Sequence, residues 1–301
     1  MATTDMKPDQ HGYYIHLKFK QTPELDDRRK KRYYSSLLQS KKKGKAYILN
    51  VMGDEQDRIR PREGSEVDFQ NMIHLFTELG YDIEAYRDLT AKKINDTIDQ
   101  FVSKLDPEVA SSVVVLMSHG NEDRIYGEDG QYVNTGTVVN KFMANNCEAL
   151  KDKPKLFFIQ TCRINTGIKL GGRIVADSVK VRPNKTSMFN AADIYIANAT
   201  CERYEALRDT DTGSWFVQAI VEEFFAGAHE YTLGRLMNEA INRVNGYAHL
   251  RRQQITTTIT VRNDVYFYPK RPKRNLKGYR GVASGGTGWP GWTESMGIVY
   301  D

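Results

Sequence analysis

From residue 45 to residue 199, short unbroken apolar runs alternate with longer stretches in which apolar residues return every three or four positions. Runs of the first kind suit strands buried on both faces, and stretches of the second suit amphipathic helices. Strands are expected at 45–52, 82–86, 113–117, 155–159 and 192–199, and helices at 66–79, 90–105 and near 137–150. Within the first helix, Val67, Met72, Ile73, Phe76 and Leu79 share a face that would meet a core. Helices at 214–225 and 232–245, then strands at 255–261 and 264–268, close the pattern. Such alternation predicts an α/β fold with a mainly parallel sheet and helices on both faces.

One stretch breaks the rhythm. Residues 165–190 hold Asn165, Gly167, Gly171, Gly172, Pro183 and Asn184 with little apolar periodicity, which reads as a linker. The ends differ from the middle in charge. Of the net +5, residues 1–44 contribute 11 Lys and Arg against 5 Asp and Glu, and residues 269–301 contribute 6 against 2. The middle is therefore net acidic, and basicity is a property of the ends. Runs such as Arg28 to Arg32 and Lys41 to Lys43 suit nucleic acid, acidic proteins or an import receptor, yet most such runs are solvated tails. We expect 1–44 to be a disordered basic segment, 269–301 a mobile tail whose Trp289 and Trp292 could dock, and nucleic acid not to be a partner.

Chemistry collects where strands end, because side chains there are held rigidly yet meet solvent. The 113–117 run leads into Ser118, His119 and Gly120, and the 155–159 run into Gln160, Thr161 and Cys162. A cysteine attacks as thiolate, and an adjacent imidazole stabilises that charge and supplies a proton to a leaving amine. Gly120 lets a backbone N–H approach an oxyanion without an intervening side chain. Each residue alone more often serves packing. Together they point to a cysteine protease.

At this point the chain resembles the caspase family. The Ser118–Gly120 motif is similar to the family's histidine motif, and Gln160, Thr161, Cys162 and Arg163 to its cysteine pentapeptide. Arg62 to Asp68 resembles the segment with the first specificity arginine; Arg208, then Gly213 to Phe216, resembles the segment with the second. The likeness runs from about residue 45 to 268 in the family's order. It implies a caspase-like three-layer sandwich, with a central, mostly parallel six-stranded sheet flanked by helices. It further implies a large subunit at 45–177 and a small one at 178–268.

The resemblance assigns Cys162 as nucleophile, His119 as acid–base, and Gly120 with Cys162 as oxyanion donors. Arg62, Gln160 and Arg208 would form a pocket for aspartate, with Trp215 also contacting substrate. A planar guanidinium fork suits a carboxylate better than a lysine does. Asp177, preceded by Ile174, Val175 and Ala176 and followed by Ser178, is the expected self-processing site, whereas Asp27 is poorer because Arg28 follows. Protein substrates cut after Asp, in apoptosis, and a homodimer or a heterodimer with another caspase, joined edge to edge through 264–268, complete the implied picture. The short segment before residue 45 suits an effector-type or regulatory member.

Three departures stand out. Thr161 replaces Ala, Ile164 replaces Gly, and Ala206 and Leu207 precede Arg208 where the family has Ser and an aromatic residue. Ile164, Ala206 and Leu207 give weight to an alternative, a catalytically weak regulator that dimerises with an active caspase. Cys147, Cys162 and Cys201 fit no zinc spacing, so neither metal nor cofactor is expected. No apolar stretch nears the roughly 20 residues that cross a bilayer, and the polar start lacks a signal-peptide pattern, so a reducing cytoplasm is the expected setting.

Overall fold

A computed structural model describes residues 7–20, 22–40, 43–53, 61–121, 123–162, 174–176, 192–201, 206–247, 253–269 and 298–299. Six strands build the central sheet: β1 (Gly44–Asn50), β2 (Asp82–Arg87), β3 (Ser111–Met117), β4 (Lys155–Gln160), β5 (Ile194–Asn198) and β6 (Thr256–Ile259). Their spatial order is β6-β5-β4-β3-β1-β2, with a two-residue strand, Ile298–Val299, beyond β2. The first five run parallel, and β6 alone runs antiparallel, against β5.

Five helices cover the two faces: α1 (Ser65–Glu78), α2 (Ala91–Ser103), α3 (Thr135–Lys141), α4 (Trp215–Gly227) and α5 (Leu233–Tyr247). Successive strand residues point to opposite faces, so each apolar run feeds two cores. Ala46, Ile48, Val113, Val115, Leu156 and Phe158 pack with α1, α4 and α5. Tyr47, Leu49, Val114, Leu116, Phe157 and Ile159 pack with α2 and α3. Every residue of β3 and β4 is buried. At roughly 1.5–3 kcal/mol for each fully buried large side chain, these two strands anchor the sheet.

Side-chain caps set the helix starts. Thr90 accepts the Lys93 N–H, Asn134 the Thr137 N–H and Ser214 the Val217 N–H. At α1 the cap is Gly64 at φ +80°, where a Cβ would stand 2.5 Å from the Asp209 carbonyl. Only glycine fits that approach.

Three expectations need correction. The helix near 137–150 stops at Lys141 and resumes only as a single tight turn, Glu148–Leu150, because Asn145 and Asn146 bring turn chemistry into the run. Residues 264–268 are not a sheet strand. Val265, Tyr266 and Phe267 are buried as in a strand, but their backbone pairs with no strand of the sheet, and Asp264 instead bridges Tyr33 in the N-terminal segment. The third concerns the N-terminal segment. Tyr14, Leu17, Leu25, Tyr34 and Leu37 are buried, and most join the core under α1 and α4. The Tyr14 N–H donates to Asn71 Oδ1 at 2.8 Å, Asn71 Nδ2 to the Gly12 carbonyl at 3.0 Å, and the Tyr14 hydroxyl to Glu222. Widely spaced apolar residues among many charges fasten a segment that net charge alone assigns to solvent.

Candidate active site

The β3–β4 register brings the two chemical residues together. Met117 lies opposite Gln160, and the Ser118 N–H donates to the Gln160 carbonyl at 3.2 Å. Two residues further on, His119 and Cys162 leave the same ends of neighbouring strands, and both are buried. Ser118 is itself fixed, its hydroxyl donating to the Tyr126 carbonyl at 2.6 Å. The Tyr126 N–H returns a bond to the His119 carbonyl at 3.1 Å.

Gly120 sits close against the strand end that carries Cys162. A Cβ there would stand 2.5 Å from the Arg124 carbonyl and 2.8 Å from Thr161 Cβ. Thr161, bulkier than the family's Ala, is thus accommodated where Gly120 has no side chain. Ile164 lies outside the described residues, as do Arg163 and Asp177.

The Cys162 sulfur is covered. The Ala206 N–H donates to Sγ at 3.1 Å, and Sγ lies 3.7 Å from the Ala206 carbonyl. Ala206 leads into a short strand, Leu207–Asp209, which pairs antiparallel with Gly213–Ser214 and with Ile174–Ala176. Gln253 braces that strand, accepting the Leu207 N–H at 2.7 Å and donating to the Ala199 carbonyl at 2.9 Å.

Both predicted arginines are buried, against the usual fate of the residue. Arg62 Nη1 donates to Asn50 Oδ1 at 2.9 Å and to the Val51 carbonyl at 3.1 Å. Arg208 Nε donates to the Glu63 carbonyl, one residue after Arg62, at 2.6 Å. Thus the turn before α1 joins the two guanidiniums. Gln160, at the end of β4, is fully buried. Trp215 opens α4, half-buried against the larger core.

Asn50, Asp68 and Gln253 are the supporting residues that sequence reasoning missed. A signal existed for two of them: Asn50 is a polar side chain closing an apolar strand, and Asp68 is a carboxylate on the apolar face of α1. Burial pushes the Asp68 carboxyl up to about 6, while the Ser214 N–H and the charges of Arg208 and Arg62 pull it down. Among the described residues no cluster of His, Cys, Asp and Glu could hold a metal ion.

A thiol and an imidazole thus stand at adjacent strand ends of a doubly wound sheet, with two buried arginines linked through the turn before α1. Residues 43–268 match the model of the caspase domain, and the chain belongs to that family. Caspase drICE of Drosophila melanogaster is 30% identical over 212 residues, 69% of this chain and 61% of that protein. Caspase-3 of Bos taurus is 34% identical over 199 residues, 65% of this chain and 70% of the relative. Caspase-1 from Spodoptera frugiperda superposes with a TM-score of 0.67 at 25% identity, covering 84% of this chain and 99% of that structure. The chain spans 61% of caspase drICE and 60% of caspase-2 of Gallus gallus, under two thirds of each.

Proposed function

We propose that the protein is an aspartate-specific cysteine endopeptidase acting on proteins in apoptosis, in the manner of an effector caspase. The observation that carries this reading is the buried pair of arginines, Arg62 and Arg208, linked through Glu63. Guanidiniums withdrawn from water suit an acidic side chain. In the proposed reaction Cys162 attacks the carbonyl after aspartate, His119 protonates the leaving amine, and the N–H groups of Gly120 and Cys162 hold the oxyanion.

Self-processing at Asp177 belongs to the same reading. Ile174–Ala176 run antiparallel to Leu207–Asp209, with Val175 opposite Arg208, so the three residues before Asp177 already follow the strand that carries the pocket arginine. An extended peptide added to such a strand gains main-chain bonds. The covered Cys162 sulfur supports a latent single chain, with a zymogen giving subunits at 45–177 and 178–268. Dimerisation, with a second copy or another caspase, is assigned to β6 in place of 264–268. β6 is the outermost strand, and its Ile259 is 52% exposed. Among the described residues no helix is long and apolar enough to span a membrane, and a cytoplasmic setting is part of the proposal.

A second reading, the weak regulator, is favoured by the way Ala206 covers the thiol. One assay separates the two. Peptides with Asp, Glu or Asn before the scissile bond are offered to the wild type and to Cys162→Ala at a salt concentration that promotes dimers. Cleavage after Asp by the wild type alone supports the enzyme; equal, negligible cleavage by both supports the regulator.

A further inference from the structure

Asp68 lies on the first turn of α1, fully buried. Its Oδ1 accepts the Ser214 N–H at 2.8 Å, and among the described residues no hydrogen-bond partner reaches Oδ2. The strand it faces is shaped around it: Gly213 takes φ +91°, and a Cβ there would stand 2.4 Å from Asp68 Oδ1. Ser214 in turn lies opposite Arg208 in the neighbouring strand. Arg208 and Arg62 are the charged groups that act on Asp68, and Ser214 faces it with its N–H and hydroxyl.

Two guanidiniums thus act on one carboxylate, and an incoming carboxylate would be a second like charge beside Asp68. We propose that Asp68 is the resident counter-ion of the aspartate pocket, a positioning residue that faces the guanidiniums as a carboxylate while the pocket is empty and gives way, by taking up a proton, when the substrate carboxylate enters. The inference rests on the aspartate-specific reading above. It assigns Asp68 no part in bond breaking. A buried carboxylate with an unbonded oxygen is costly, and its place within the field of two buried guanidiniums is what gives it that role.

The sign follows from like-charge repulsion. With the pocket empty, Asp68 already titrates close to neutrality, at about 6. A second carboxylate nearby raises it further, so the complex holds a proton that the free protein lacks. Affinity for an aspartyl peptide therefore rises as pH falls, while the peptide's own carboxyl, at about 3.9, stays ionised. Between about pH 7.5 and 5.5 the gain is roughly tenfold if binding raises the Asp68 value by about 1.5.

The test is calorimetric titration of the self-processed protein with the amide acetyl-Ile-Val-Ala-Asp and its Asn counterpart, in two buffers of different ionisation enthalpy. We expect the Asp peptide to gain about tenfold in affinity over that range and to take up about 0.7 of a proton at pH 7, with neither effect for the Asn peptide. Asp68→Asn, processed in trans by the wild type, retains an oxygen for the Ser214 N–H. It should still prefer Asp over Asn, with a flat pH response. To exclude a contribution from the imidazole, His119→Ala is run alongside, and it should retain the slope. An Asp preference with no proton uptake, or with an unchanged slope in Asp68→Asn, overturns the counter-ion role alone. Equal binding of the two peptides at every pH overturns the aspartate reading as well. Should Asp68→Asn not fold, the proton count on the unaltered pocket decides.

Discussion

Replacing Tyr14 tests whether the basic N-terminal segment is part of the folded core. The ring is fully buried and its hydroxyl donates to Glu222, while its backbone is tied to Asn71 on α1. Truncating a buried aromatic to Ala typically costs about 3–5 kcal/mol through lost transfer energy and the cavity left behind. Tyr14→Phe removes only the hydroxyl, and Glu222 keeps its ion pair with Arg243 at 2.7 Å, so the loss should be about 1–2 kcal/mol. In a domain of this size each kcal/mol lowers Tm by roughly 2–4 °C, which puts Tyr14→Ala about 6–20 °C below its parent. Urea unfolding followed by tryptophan fluorescence, in a Cys162→Ala background to prevent self-cleavage, reads both variants. If Tyr14→Ala falls within about 0.5 kcal/mol of the parent, the range of ordinary surface changes, the segment is not part of the core.

Three further outcomes are expected. Gly120→Ala would force a Cβ to within 2.8 Å of Thr161 and closer still to the Arg124 carbonyl, so kcat should fall on the order of a hundredfold with KM little changed. An unaltered kcat would remove Gly120 from the oxyanion site. Arg208→Lys cannot both bond the Glu63 carbonyl and present a planar fork, and kcat/KM on Asp peptides should drop about a hundredfold; a change under about threefold would count against the pocket. Asp193 is pushed up by burial, but hydrogen bonds from Arg262 and Tyr34 outweigh that and hold its carboxyl below the ordinary range. Its stabilisation is therefore present above the unfolded-state value near 4 and is lost as pH falls through the lower folded-state value. Arg262→Ala should lose stability most at pH 7, with the gap to wild type closing toward about pH 3; a gap independent of pH would refute that account.

Much of the sheet could be read from the chain because β1, β3 and β4 are apolar on both faces, a pattern few other elements produce. His119 and Cys162 were equally legible, each standing directly beyond such a run. The pocket arginines were not, except through family likeness. Nothing in the residues around Arg62 or Arg208 separates a buried guanidinium from a solvated one, since their burial depends on Asn50 and Glu63 folding against them. Residues 264–268 have a strand's composition, but the choice of partner is tertiary, and Tyr33 was hidden inside a segment dominated by charge. Asp68 was in plain view on the apolar face of α1, where its carboxylate should have marked it.

The ladder between β4 and β5 runs from Lys155 beside Ile194 to Ile159 beside Asn198, and it joins the part of the chain holding the thiol to the part holding Arg208. Covalent continuity through residues 163–191 is therefore redundant for keeping the site together. Opening the backbone there would free two new ends while the ladder still held the thiol and the Arg208 guanidinium in one scaffold.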